Sequence, residues 1–250
     1  MPTVNFIETT PPKNLAKYVE VFWHCQITGK GVLRLLPTAS CDLMVHSSGK
    51  GMKAVLIGPM VTAQTTSLKP GTLFVGARFR PGCRIILSEK PFASLRDSKV
   101  SDFSIQLIQL AHFEKSIQDA SLETIRSKLP LLLATLIKDE VVTRDSIVDK
   151  FLDEVEAARD NPTVASMLES LPISARQFQR RFRQYTCLSP KEFLRLYRHQ
   201  HATEDMKRSC MTITKIASLH GYADHAHFSH DFQELAGIPP VALEKELTLK

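Results

Sequence analysis

The sequence predicts an α+β protein: a β-rich N-terminal domain with helices, followed by an all-α C-terminal domain of two helix-turn-helix units joined by a linker helix. Three observations carry this prediction. Over the first hundred residues, short Val-, Leu- and Phe-rich runs are bounded by Gly, Pro and Ser, the pattern of short strands and turns. Beyond residue 101 the apolar spacing becomes helical,. Finally, Phe178, Phe182, Ser189 and Pro190 recur as Phe228, Phe232, Pro239 and Pro240, each at an offset of 50.

The chain's 250 residues leave roughly 150 upstream of the repeat, enough for an independent core. No apolar run approaches the ~20 residues of a membrane span. The opening MPTVNFIETTPPKN lacks a basic region followed by an apolar stretch, so no signal peptide is expected and the predicted location is cytoplasmic. The five cysteines, Cys25, Cys41, Cys83, Cys187 and Cys210, are odd in number and form no C-x-x-C pair. They are expected to be buried or incidental thiols rather than a disulfide or zinc framework.

Residues 1–100 are assigned to the β-rich domain, with strands expected over Tyr18–Ile27, Val32–Leu36, Asp42–His46, Ala54–Gly58 and Thr72–Arg80. Trp23 and His24 fit a pocket lining and a packed core equally well. Arg78, Arg80 and Arg84, close to Gly82, admit an anion site, but the simpler reading places Arg78 and Arg80 facing solvent on a strand before a turn. Residues 101–144 form a helical connector, with Ile105, Ile108, Phe113 and Ile117 at helical spacing and an apolar stretch from Leu129 to Ile137. Such a pair buries itself either against the β-rich domain or against a second subunit.

Residues 145–250 contain the repeat, with helix-turn-helix units at about 162–190 and 211–240. Charge singles out the first unit. Residues 1–144 carry 18 basic and 11 acidic side chains and residues 145–250 carry 14 and 15, yet residues 174–198 alone hold seven basic residues against Glu192. A local basic face matters because phosphate contacts act over about a Debye length, ~10 Å. At about 100° per residue, Phe178, Phe182 and Tyr185 define a buried stripe. Arg183, Arg176 and Arg180 then fall about 140° to 200° from Phe178, with Gln179 beside them at about 100°. Arg and Gln are the side chains that pair with guanine and adenine edges. Ser174 is placed to cap this helix.

The linker is expected over Pro190–Ser209, with Phe193, Leu194, Tyr197, His201 and Met206 near helical spacing. At ~18 residues it spans ~27 Å, compatible with setting two reading helices about one DNA turn apart. In the second unit Asp224 is the expected cap, Phe228, Phe232 and Leu235 mark the core, and Ser229, Ala226, His230 and Gln233 face outward, with His225 on the flank. Of the histidines here, only His227 and His230 share a face, a poor basis for a metal site. No metal and no cofactor is expected.

With these residues in view, the C-terminal region resembles the DNA-binding domain of the AraC/XylS family of bacterial transcription regulators. The resemblance rests on the Phe178/Phe182 helix, the Ser189-Pro190 turn, Arg198 and Ala202 of the linker, Ile213, Ile216 and Ala217, Gly221-Tyr222, Asp224 to Ser229, Phe232 and Gly237 to Pro240. It implies a monomeric double reading head whose second helices enter successive major grooves. By position it makes Arg176, Gln179, Arg180, His225, Ser229 and His230 base-reading candidates, with Arg183 and Arg198 as further DNA contacts. Implied partners are operator DNA, RNA polymerase, a second copy of the chain and a small-molecule effector, with no membrane. Pro37, Asp42-Leu43, Gly58-Pro59 and Arg78 to Gly82 are similar to the N-terminal domain of a subset of these regulators, a similarity that names no effector-binding residue. The sequence departs from the family at Leu168 and Pro172, where a small residue and a glycine are usual in the first corner. It departs again at Cys187, where Gly is usual, and at His230, where Arg is common.

No G-x-S-x-G, H-E-x-x-H or phosphate-binding glycine loop occurs, so no enzyme is predicted. Two rivals stand beside the regulator: an interaction module whose reading heads no longer bind DNA, and a DNA-repair enzyme sharing this head. The repair enzyme requires a reactive cysteine, and Cys25, Cys41 and Cys83 lack a recognisable setting for one.

Overall fold

The structure, a computed structural model, describes residues 4–48, 51–86, 91–100, 108–158, 163–208 and 211–248. Ile105, Ser209 and Cys210, named above, lie outside them. Strands β1 (Val4–Thr9), β2 (Val19–Ile27), β3 (Gly31–Leu35), β4 (Asp42–Ser48), β5 (Gly51–Ile57), β6 (Gln64–Leu68), β7 (Leu73–Phe79), β8 (Arg84–Ile85) and β9 (Lys99–Val100) build the N-terminal domain. Six form one sheet in the order β1-β2-β7-β4-β5-β9, while β3 pairs with β6 in a second, two-stranded sheet.

Alternation along β2 and β7 sends Phe22, Val75, Ala77 and Phe79 to one face of the large sheet. This face forms a single core with helices α1 (Ile108–Ser116) and α2 (Leu122–Lys138), through Ile125, Leu129, Leu132, Leu133 and Leu136 of α2. The helical pair therefore buries its apolar stripe within this chain. After α2 the chain returns to the sheet domain, since β10 (Val142–Thr143) pairs antiparallel with β8. The connector is part of the N-terminal domain rather than a free spacer.

On the opposite face, Trp23 lies against Gly76, where a Cβ would come within 2.4 Å of the indole, and its Nε1 donates to Asp42 Oδ1 at 2.7 Å. Arg78 turns inward toward Asp42, 3.5 Å away. The expectation that it faces solvent is corrected by this pairing: a charge brought against a sheet is held where a carboxylate compensates it. Arg80 donates to the Ala16 carbonyl oxygen and the Arg84 guanidinium lies 5.8 Å from the Tyr185 ring centroid, so the three arginines serve separate intramolecular contacts.

The C-terminal domain contains α3 (Ser146–Ala157), α4 (Val164–Leu168), α5 (Ala175–Thr186), α6 (Pro190–Arg208), α7 (Ile213–Leu219), α8 (His225–Ala236) and α9 (Pro240–Thr248). Phe151, Phe178, Phe182 and Phe193 centre the first unit's core, and Phe228, Phe232, Ile216 and Ala202 the second's. The two α4–α5 and α7–α8 corners differ as the Leu168/Pro172 departure predicts. The second turns through Gly221 at φ +69°, whereas between Leu168 and Ser174 no residue has positive φ. Instead α3 holds the first corner from outside, Lys150 Nζ donating to the Ser170 carbonyl oxygen at 2.9 Å and Ser170 Oγ to Glu154.

Candidate nucleic-acid interface

Helix α5 begins at Ser174, whose Oγ accepts from the Gln177 amide while the Gln177 side chain accepts from the Ser174 amide, a complete capping box. The reciprocal bonds satisfy two amides at the helix start and fix the first turn. Phe178, Phe182 and Thr186 are buried, while Tyr185 is only half-buried, against Arg84. Arg176, Gln179, Arg180 and Arg183 are all exposed, and none of them enters an ion pair among the described residues. Arg181 is different: its Nε lies 3.2 Å from Asp145 Oδ2, and the other oxygen of that carboxylate caps α3.

Helix α8 is capped by Asp224, which accepts from the His227 amide at 2.7 Å. His225 and His230 are exposed and Ser229 is partly so, its Oγ lying 3.5 Å from His225 Nδ1. Among the described residues, no group of three or more His, Cys, Asp or Glu side chains is arranged to hold a metal ion.

Linker α6, 19 residues long, spans about 28 Å at the helical rise. Its buried stripe is Pro190, Phe193, Leu196, His199, Ala202, Thr203 and Met206. Leu194 and Tyr197 are half-buried and His201 is exposed, which corrects the stripe expected from spacing. The helix serves two cores in succession and so buries a broader arc than one amphipathic face. Arg198 is also placed differently from a free phosphate contact: it is half-buried, its guanidinium 5.4 Å from the Tyr222 ring centroid and its Nε buried without a hydrogen-bond partner.

Sequence reasoning missed the contacts that position α8. Arg195 donates from Nε to Asp231 Oδ1 at 2.6 Å and from Nη2 to Glu234 Oε2 at 2.7 Å, and Tyr222 Oη donates to Asp231 Oδ2 at 3.0 Å. Beneath them His199 lies 4.6 Å from the Phe232 ring and neither of its nitrogens finds a partner. Burial drives its pKa down to about 4. The Arg-Asp spacing of 36 residues has no local periodicity through which it could be read.

The N-terminal domain grips the C-terminal ends of both α5 and α8. Cys187, which ends α5 at φ +63°, donates from Sγ to the Phe92 carbonyl oxygen at 3.0 Å, and Arg96 pairs with Glu192 at 3.0 Å. At α8, the Ala63 amide donates to the Leu235 carbonyl oxygen at 2.7 Å and Arg34 to that of Ala236 at 3.3 Å. Carbonyls at a helix C-terminus lack intrahelical donors and carry the negative end of the dipole, so an amide and a guanidinium are suited to them. The N-terminal turns of both helices remain exposed.

Residues 167–246 match the family described as "Helix-turn-helix domain", and residues 7–101 match "Domain of unknown function (DUF6597)". A stretch of 68 residues, 27% of this chain, is 35% identical to the HTH-type transcriptional regulator GbdR of Pseudomonas aeruginosa, and spans 18% of that regulator's length. The fold is similar to that of a single-substitution variant of ToxT from Vibrio cholerae in its apo form, with a TM-score of 0.50 and 12% identity over 98% of this chain and 97% of that one. The DNA-binding domain of AdpA, solved in complex with a target DNA, aligns over 42% of this chain and 96% of its own length, at 20% identity and a TM-score of 0.39.

Proposed function

We propose that the chain, whose residues 167–246 match a helix-turn-helix family, is a sequence-specific DNA-binding transcription regulator of the AraC type. The observation that carries this reading is the exposed row Arg176, Gln179, Arg180 and Arg183 on α5, uncompensated by any ion pair among the described residues. Three guanidinium groups on the outer face of one capped helix make a local cationic row, and a DNA major groove supplies both phosphates and guanine edges to meet it. Arg176, Gln179 and Arg180 read bases and Arg183 contacts phosphate. On α8, His225, Ser229 and His230 read the adjacent groove with fewer charges, so the first head anchors and the second refines. Arg198 acts through Tyr222 as a support for α8 rather than as a DNA contact.

The N-terminal domain modulates the heads by holding the C-terminal ends of α5 and α8, and with them the relative setting of the two reading helices. A small-molecule effector, as in the fatty-acid-bound ToxT of Vibrio cholerae, would act by changing that grip. A second copy and RNA polymerase are the further partners inferred from the family, and the nucleoid, in the cytoplasm, is the inferred place of action. Among the described residues no helix is long and apolar enough to cross a membrane.

The repair-enzyme rival is disfavoured by its thiols. Cys25, Cys41 and Cys83 are buried; burial pushes the Cys83 thiol up to about 11, and the neighbouring Cys187 thiol together with burial raises that of Cys41. Nucleophilic cysteines need the opposite shift. Selection of bound fragments from a random DNA pool by the purified full chain tests the reading. A motif with two half-sites about one turn apart, ~34 Å, is the expected outcome, and failure to enrich any motif favours the interaction-module rival.

A further inference from the structure

Between the large sheet and α2 lies a cavity of about 260 Å³ that the core does not fill. Phe22, His24 and Val75 of the sheet form one wall and Arg126, Leu129 and Pro130 of α2 the other. The first turns of α2 present Glu123, Arg126 and Ser127 here instead of apolar side chains, so the helix spans the sheet edge without closing onto it. Pro130 adds to this by withholding the amide that the Arg126 carbonyl oxygen would otherwise accept,. A second crevice in this domain, beside Leu43 and Phe79, encloses only about 10 Å³, no more than a single water occupies.

His24 is the unusual member of the wall. It is a polar side chain only 7% exposed, on a wall it shares with the apolar Phe22 and Val75. Arg126 is close enough for its charge to act on the imidazole. Its own ion pair is with Glu123, 3.3 Å away on a side chain 81% exposed, a pair of the weak, screened kind that a ligand displaces at little cost.

We propose that this cavity binds a small monocarboxylate with an apolar body, its carboxylate accepting from His24 and Arg126 and its body lying against Phe22, Val75 and Leu129. A cavity of about 150 Å³ accommodates benzene, so the space here suits one ring or a short chain bearing the acid group. Glu123 also lines the cavity, but its side chain is 81% exposed and already paired with Arg126, so a cationic ligand would meet the guanidinium without a free carboxylate to compensate it. The proposal rests on the reading of the N-terminal domain as a ligand-responsive modulator.

Isothermal titration calorimetry on the full chain tests it, using phenylacetate, 3-phenylpropionate and hexanoate beside the neutral phenylacetamide and the cationic phenethylamine. At least one carboxylate is expected to bind saturably, one per chain, and at least tenfold more tightly than the amide or the amine. Arg126→Gln, a surface change that leaves the core intact, and His24→Phe should each weaken that carboxylate tenfold or more; Ser127→Trp, filling the space from α2, should abolish its binding. Absence of saturable carboxylate binding, preference for the amine, or unchanged affinity in both Arg126→Gln and Ser127→Trp overturns the proposal. DNA binding by the ligand-free chain is measured separately: its absence would remove the regulator reading while leaving the calorimetric result intact.

Discussion

Cys187 donates its thiol hydrogen to the carbonyl oxygen of Phe92 across 3.0 Å, from a backbone held at φ +63°. The equivalent position of the second unit is Gly237 at φ +73°, where no side chain is needed. In the first unit a non-glycine residue tolerates the left-handed conformation because its side chain enters the core of the N-terminal domain.

Substitution at this position separates the two effects. Cys187→Gly removes the thiol contact but relieves about 1–2 kcal/mol of left-handed backbone cost. Cys187→Ala keeps that cost and loses the contact, so it should be less stable than wild type by about 1–2 kcal/mol and less stable than the glycine variant. Denaturant unfolding of the three proteins checks the order; an alanine variant more stable than the glycine variant would contradict it.

His199 makes the protein acid-sensitive. Its folded pKa, lowered by burial to about 4, lies below the unfolded value of about 6.5, so the unfolded chain takes up the proton first as pH falls. The stability contributed by neutral His199 is complete above about pH 6.5 and is lost progressively toward pH 4, by up to about 3 kcal/mol. His199→Leu should flatten this part of the stability profile and, by removing two unpartnered nitrogens, raise stability at neutral pH. A wild-type slope surviving in the variant would assign the acid sensitivity to other groups.

Arg195→Ala should uncouple α8 from the linker. The arginine is 31% exposed and Asp231 13%, so the expected loss is about 1–2 kcal/mol, above that of a surface pair but below that of a fully buried one. Footprinting on a selected operator should show protection kept over the half-site read by α5 and weakened over the other. Arg195→Lys should rescue little, because an ammonium cannot reproduce the planar fork that reaches Asp231 and Glu234 together.

Arg180→Ala should cost about 1–3 kcal/mol at a selected site and relax discrimination at one base pair. Arg183→Ala should weaken selected and random DNA alike and reduce the salt dependence of binding by about one phosphate. Competition binding at two salt concentrations distinguishes them; equal losses on both DNAs for Arg180→Ala would remove its base-reading role.

The reading heads were legible because their signals are local. Caps at Ser174 and Asp224 and phenylalanines at i and i+4 each lie within a turn or two of chain, and the same local pattern repeats 50 residues on. Strands β1 and β6 were missed, since VNFIET and QTTSL place most of their side chains toward solvent and show no apolar run. The burial of Arg78 depends on Asp42 lying opposite it in the β4–β7 register, and the role of Arg198 on the position of Tyr222 in space. Trp23 and His24, which fitted pocket and core alike, are separated by the pleat: Trp23 packs on Gly76 toward Asp42, and His24 faces the cavity under α2.

From its own periodicities and caps, the sequence determined that the chain carries two tandem helix-turn-helix units, that the arginines lie on the outer face of the first reading helix, and that a β-rich domain precedes them. Tertiary structure alone decided which of those arginines enter an ion pair among the described residues, that Arg195 pairs with Asp231 and Glu234 of the second helix while Arg198 lies against Tyr222, and that the sheet domain contacts the C-terminal ends of both helices. The division has a physical cause. Helical periodicity and capping are set by neighbours within about four residues, whereas ion pairs, left-handed contacts such as that of Cys187 and the carbonyls capped by Ala63 and Arg34 join groups 36 to 202 residues apart.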